Sequence, residues 1–176
     1  MIMRFTHHYQ SPLGGITMLS DGEALLGLWF DGQKYFPADL PAREGENDRP
    51  VWEQADRWLA LYFAGKKPDF LPPLRMETTP FRRRVWQELL KIPYGQTATY
   101  GELARRIASE RGVDRFSAQA VGGAVGHNAI SLMIPCHRVV GSGGELTGYA
   151  GGIEKKRALL TLEGVTLSKQ DDRILK

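Results

Sequence analysis

The chain has 176 residues, 42% hydrophobic and 24% charged, an ordinary globular composition that argues against disorder and leaves room for one substantial domain or two small ones. Its single cysteine excludes an intrachain disulfide and agrees with a reducing compartment. No apolar run approaches the roughly 20 residues of a membrane span, and the start, Met1-Ile-Met-Arg-Phe-Thr-His-His8, has no signal-peptide pattern; a cytoplasmic protein without membrane association is expected. The net charge of +3 is unevenly spread, with 8 Lys/Arg against 11 Asp/Glu in residues 1–80 and 15 against 9 in residues 81–176. The second half therefore carries the basic surface, which fits a polyanion partner and fits equally a solvated face.

Three strands are predicted first, Met3–Tyr9, Ile16–Leu19 and Ala24–Phe30, separated by the turn signals Ser11-Pro-Leu-Gly-Gly15 and Asp21-Gly22. Residues Asp31 to Asn47 are polar, with Gly32, Pro37, Pro41 and Gly45, and read as a surface loop. Val51, Trp52, Ala55, Trp58, Leu59, Tyr62 and Phe63 then recur at helical spacing until Gly65. This aromatic stripe is core for packing on the small sheet rather than a ligand platform. The proline-rich stretch Pro68–Pro73 marks a connection, dividing the chain into domains 1–75 and 76–176.

The second half reads as helices. Thr79-Pro80 is an N-cap followed by proline at the first helical position, and Phe81, Val85, Trp86, Leu89 and Leu90 form an apolar face up to Ile92-Pro93. Thr99-Tyr-Gly-Glu102 is a capping box that opens a second helix burying Leu103 and Ile107. A polar stretch from Ser109 to Phe116 follows, and Ser117 then caps a helix from Ala118 to Val125. Helix, turn and short helix in a basic surround make a helix-turn-helix pattern. Gly122, Gly123 and Gly126 each cost that last helix about 1 kcal/mol relative to alanine. They imply either a surface that must lie close to something bulky or tight packing between helices.

Pro135-Cys136-His137-Arg138-Val139 holds the lone cysteine. Such a residue is commonly an inert core thiol. Here Pro135 fixes the entering backbone, and His137 and Arg138 would lower the thiol pKa and make a nucleophile of it. The glycine-rich stretch from Gly141 to Gly152 lets backbone come close to a ligand.

Ile134-Pro-Cys-His-Arg-Val-Val140, Leu146-Thr-Gly-Tyr-Ala-Gly-Gly152 and Leu162-Glu-Gly164 resemble the O6-alkylguanine-DNA alkyltransferases, also called methylated-DNA–protein-cysteine methyltransferases. The likeness is close from about Thr79 to Val165 and looser before it. It implies a small N-terminal α/β domain resembling ribonuclease H, followed by a mostly helical domain with a helix-turn-helix. It also implies transfer of an alkyl group from flipped O6-alkylguanine to Cys136, once per molecule. By the same resemblance His137 takes the thiol proton, Glu163 orients His137, and Tyr100 serves the N3 of the departing guanine. Asn128 is then a hinge between the recognition helix and the active-site turn. Tyr149, Ala150, Val139 and Pro135 then shape the base pocket. Ser117, Gln119, Ala120, Gly122, Gly123 and Arg138 would meet DNA, in its minor groove, with the protein a monomer.

Read without the resemblance, Glu163 is a polar residue at a helix end before Gly164, Tyr100 a half-buried helix aromatic, and Asn128 an ordinary helix terminator. Gln119 departs from the family pattern, standing where an arginine usually fills the vacated base stack. One cysteine and four scattered histidines give no metal-ligand spacing, and no phosphate-binding glycine motif is present, so neither metal nor cofactor is expected. Three rivals stay open: a binding-only relative, against which Cys136 speaks; a cysteine hydrolase, which leaves the basic helix-turn-helix unexplained; and a transcription regulator, which has no need of Pro135-Cys136-His137.

Overall fold

The computed structural model describes residues 3–41, 50–170 and 172–175. It forms two compact units. The first comprises Met1–Glu77 with Ala129–Met133, the second Thr78–Asn128 with Ile134–Lys176.

In the first unit, β1 (Phe5–Ser11), β2 (Gly14–Ser20) and β3 (Leu25–Phe30) form an antiparallel sheet in that order, followed by α1 (Pro50–Phe63). The β1–β2 hairpin closes with Ser11 opposite Gly14, so only Pro12 and Leu13 turn. Gly14 sits at φ 110°, a backbone that favours glycine. The strands therefore run further into the predicted turn than its glycines suggest. Every residue of β3 is buried. α1 turns Val51, Trp52, Ala55, Trp58, Leu59 and Tyr62 inward, the predicted stripe except for Phe63, which is half-buried at the helix end. Trp52 stacks on His7 of β1, ring centroids 4.9 Å apart, and His7 Nε2 reaches the Asp56 carboxylate at 2.9 Å. Residues 31–41 form no regular element, as expected of a loop; the rest of the predicted loop, 42–47, lies outside the described residues.

One feature has no trace in the local sequence. Residues Ala129–Met133, far along the chain, belong to this first unit, where the Leu28 N–H donates to the Ala129 carbonyl (2.8 Å) and the Ser131 N–H donates to that of Leu28 (2.9 Å). A run of only five residues has no readable period, and its partner is a hundred residues away.

The second unit contains α2 (Pro80–Leu89), β4 (Ala98–Thr99), α3 (Tyr100–Arg111), α4 (Ala118–Gly126), a 3-10 turn at Cys136–Arg138, β5 (Val139–Val140) and α5 (Ile153–Leu162). The predicted caps are in place. Thr79 accepts from the Arg82 N–H, Thr99 and Glu102 bond reciprocally, and Ser117 accepts from the Ala120 N–H. α3 runs through Ser109 to Arg111, into the stretch read as polar connection, because the helix continues on its solvated side until Gly112 adopts φ 67°. α2, α3 and α4 pack on one another. Trp86 Nε1 donates to the Ala124 carbonyl at 2.9 Å, a buried hydrogen bond tying α2 to α4. α3 and α4 with their connection are the expected helix-turn-helix. Among the described residues no helix is long and apolar enough to cross a membrane.

Candidate functional site

Pro135, at φ −83° and ψ 67°, is the centre of an inverse γ-turn, with the Cys136 N–H donating to the Ile134 carbonyl at 2.8 Å. Asn128, just past α4 and buried, donates from Nδ2 to the same carbonyl at 2.7 Å and also hydrogen-bonds the Cys136 thiol. A single side chain thus joins the end of the exposed helix to the turn that carries the thiol. Immediately after the turn, β5 pairs in parallel with β4, Ala98 opposite Val139 and Thr99 opposite Val140. Tyr100, the next residue after β4, is thereby carried to the thiol, and the two groups interact electrostatically. Two-residue strands have no period to read, which is why this link is invisible in sequence.

Cys136 is 6% exposed and His137 and Glu163 are buried with it. His137 Nε2 meets Glu163 Oε2 at 2.5 Å. The same carboxylate accepts from Arg138 Nε at 2.8 Å and Nη2 at 3.2 Å, and from the Gly95 N–H at 2.9 Å. Burial pushes the Glu163 carboxyl up, but the hydrogen bonds and charges of His137 and Arg138 more than reverse this and hold it at about 2. Burial holds His137 below its ordinary value despite Glu163, so at neutral pH its imidazole is neutral. A neutral ring that donates from Nε2 carries its basic lone pair on Nδ1. Gly95 has φ 78°, and a Cβ there would stand 3.0 Å from the Glu163 carbonyl oxygen; only glycine brings that backbone N–H so close.

Two expectations change. Arg138, expected at the DNA surface, is only 8% exposed, and its guanidinium is committed to Glu163 and to the Ile92 carbonyl (Nη1, 2.8 Å). It clamps the carboxylate. The thiol itself is pushed up by burial, against Asn128, Lys156 and the backbone N–H groups of Cys136 and His137. The resting residue is a thiol awaiting a base, and what His137 contributes toward the thiolate comes from its backbone N–H.

Lys156 has no sequence signal, since Lys155-Lys156 on α5 looks like solvated charge. Its side chain is fully buried, Nζ donates to the Thr147 carbonyl at 3.0 Å, and burial brings its pKa down to about 8 while Cys136 opposes the shift. Tyr149 and Ala150 lie half-buried in the loop after β5, and Val139 is fully buried. Among the described residues no group of three or more His, Cys, Asp or Glu is placed to hold a metal.

On α4, Ser117, Gln119, Ala120 and Gly123 are exposed and Gly122 is half-buried. A Cβ on Gly123 or Gly126 would meet nothing within 4 Å, and one on Gly122 would touch Tyr100 at an ordinary 3.7 Å. Packing between helices therefore does not require these glycines.

The chain is similar to known proteins along most of its length. The model described as 6-O-methylguanine DNA methyltransferase, ribonuclease-like domain, matches residues 5–76, and that described as 6-O-methylguanine DNA methyltransferase, DNA binding domain, matches residues 80–165. The chain is 42% identical over 159 residues to the methylated-DNA–protein-cysteine methyltransferase of Haemophilus influenzae, covering 90% of this chain and 85% of that one. It is 41% identical to the enzyme of that name from Methanosarcina acetivorans, covering 89% and 96%. The crystal structure of Mycobacterium tuberculosis OGT in complex with DNA superposes with a TM-score of 0.77 at 41% identity, covering 90% of this chain and 92% of that one. The chain belongs to the 6-O-methylguanine DNA methyltransferase family.

Proposed function

We propose that this protein repairs DNA by moving the alkyl group of O6-alkylguanine to its own Cys136. What carries the reading is the buried series Cys136, His137, Glu163, Arg138, with Tyr100 in electrostatic reach of the thiol. It fits a displacement at saturated carbon, which needs a soft nucleophile, a base for its proton and relief for the leaving group.

Neutral His137 takes the thiol proton through a water. Sγ then bonds to the alkyl carbon as the C–O6 bond breaks, and the electron pair passes to guanine. Tyr100 gives its phenolic proton to guanine N3 and regains one through water from His137. Glu163, kept ionised by Arg138, stabilises the imidazolium formed on the way. The product is a thioether, which is neither base nor nucleophile, so one chain performs one transfer. A base stacked in duplex DNA cannot reach a thiol that is 6% exposed, so the alkylated nucleotide must rotate out.

For DNA contact we infer the exposed face of α4, with Gln119 entering the vacated stack. Its open, glycine-bearing surface suits close approach to a sugar-phosphate backbone in the minor groove. A monomer acting in the cytoplasm is the state this reading favours, supported by a single cysteine kept reduced. The test is Cys136→Ala: methyl transfer from O6-methylguanine DNA is expected to vanish while duplex affinity stays within about twofold. Transfer surviving in that variant would end the reading.

A further inference from the structure

Thr147 lies in the glycine-rich loop after β5, half-buried and outside any regular element. Its Oγ1 donates to the Tyr100 hydroxyl at 3.2 Å. Its carbonyl accepts from Lys156 Nζ at 3.0 Å, and that lysine is itself fully buried in the first turn of α5. One residue is therefore pinned at two points, by its side chain to the start of α3 and by its backbone to α5. Both anchors lie within electrostatic reach of the thiol, since Tyr100 and Lys156 each interact with Cys136 through charge.

We propose that Thr147 is a positioning residue for alkyl transfer, holding the Tyr100 phenol oxygen from one side so that its O–H points at the departing guanine. The proposal rests on the alkyl-transfer reading above and deepens it. A phenol oxygen that already accepts a hydrogen bond keeps its own proton free for another acceptor. As that proton moves toward guanine, negative charge grows on the phenol oxygen, and a hydrogen bond donated to it strengthens accordingly. Burial pushes the Tyr100 pKa up, and the Thr147 hydrogen bond works against this. The Lys156–Thr147 bond supplies the rigidity that a loop with Gly143, Gly144, Gly148, Gly151 and Gly152 lacks.

Thr147→Val keeps shape and removes the donor; Thr147→Ser restores it. Single-turnover methyl transfer from O6-methylguanine DNA is compared with alkylation of Cys136 by iodoacetamide, whose iodide leaves without needing a proton. Thr147→Val is expected to slow methyl transfer roughly tenfold, the loss of one moderate hydrogen bond. Iodoacetamide alkylation should stay within about twofold of the parent, and Thr147→Ser should recover most of the methyl-transfer rate. A valine variant that transfers methyl at the parent rate, or that loses both reactions equally, would overturn the proposal. So would a serine variant as slow as valine. Methyl uptake by the parent in the same experiment reports separately on the alkyl-transfer reading.

Discussion

Glu163 is where the charges of the site converge. Its carboxylate faces His137, Arg138 and the Gly95 N–H with almost no solvent. Removing one partner of such a group leaves the other buried and uncompensated, which typically costs about 3–5 kcal/mol. Arg138→Met is therefore expected to lower stability by that order in urea unfolding, while the folded variant binds duplex DNA like the parent. Unchanged stability with weakened binding would return Arg138 to the DNA surface. The carboxyl is held at about 2 against an ordinary 4.5, so the fold favours its ionised form. Its contribution is complete above about 4.5 and drains away as pH falls toward 2. Melting temperature followed through that range should fall less steeply in Glu163→Gln than in the parent, and parallel curves would contradict the assignment. At neutral pH the same variant, once its fold is verified, should transfer methyl more slowly than it loses DNA affinity.

α4 shows what a local pattern can and cannot disclose. Its cap at Ser117 and its extent were legible from residue types, as were the caps of α2 and α3, because capping is set by neighbours in sequence. The purpose of its glycines was not, because helix packing and DNA approach both call for small residues. Open space at Gly123 removes packing as the reason. Gly123→Ala is expected to stabilise the protein by about 1 kcal/mol and to weaken duplex binding. A stabilised variant that binds and repairs unchanged would show that the glycine serves no approach to DNA. Pairings over long range are where sequence reading stops. The β4–β5 pair, the Gly95 contact to Glu163 and the return of Ala129–Met133 to the first unit all join short segments without periodicity. Cys136, His137 and Glu163 were legible through their motifs. Lys156 and Thr147 were not, since a lysine on a helix and a threonine in a loop are ordinary surface residues until burial says otherwise.

Across the whole molecule, charge is divided as chemistry is. The excess of Lys/Arg lies after residue 80, in the half that carries the helix-turn-helix and the thiol. Duplex affinity should fall as salt rises, with a slope of about −0.9 per phosphate neutralised. Gln119, exposed on α4, brings length and a hydrogen-bonding end but no charge. Gln119→Arg is expected to tighten duplex binding and steepen the salt slope by up to roughly one such unit. An unchanged slope would place residue 119 away from the phosphates. The central claim is that this protein is itself the alkyl acceptor, consumed in one event at Cys136. Intact mass after incubation with excess O6-methylguanine duplex, followed by peptide mapping, tests it most directly. The account predicts one methyl group per chain, confined to the peptide holding Cys136 and rising no further with time. An unmodified chain alongside repaired DNA, or a methyl on any other residue, would contradict it.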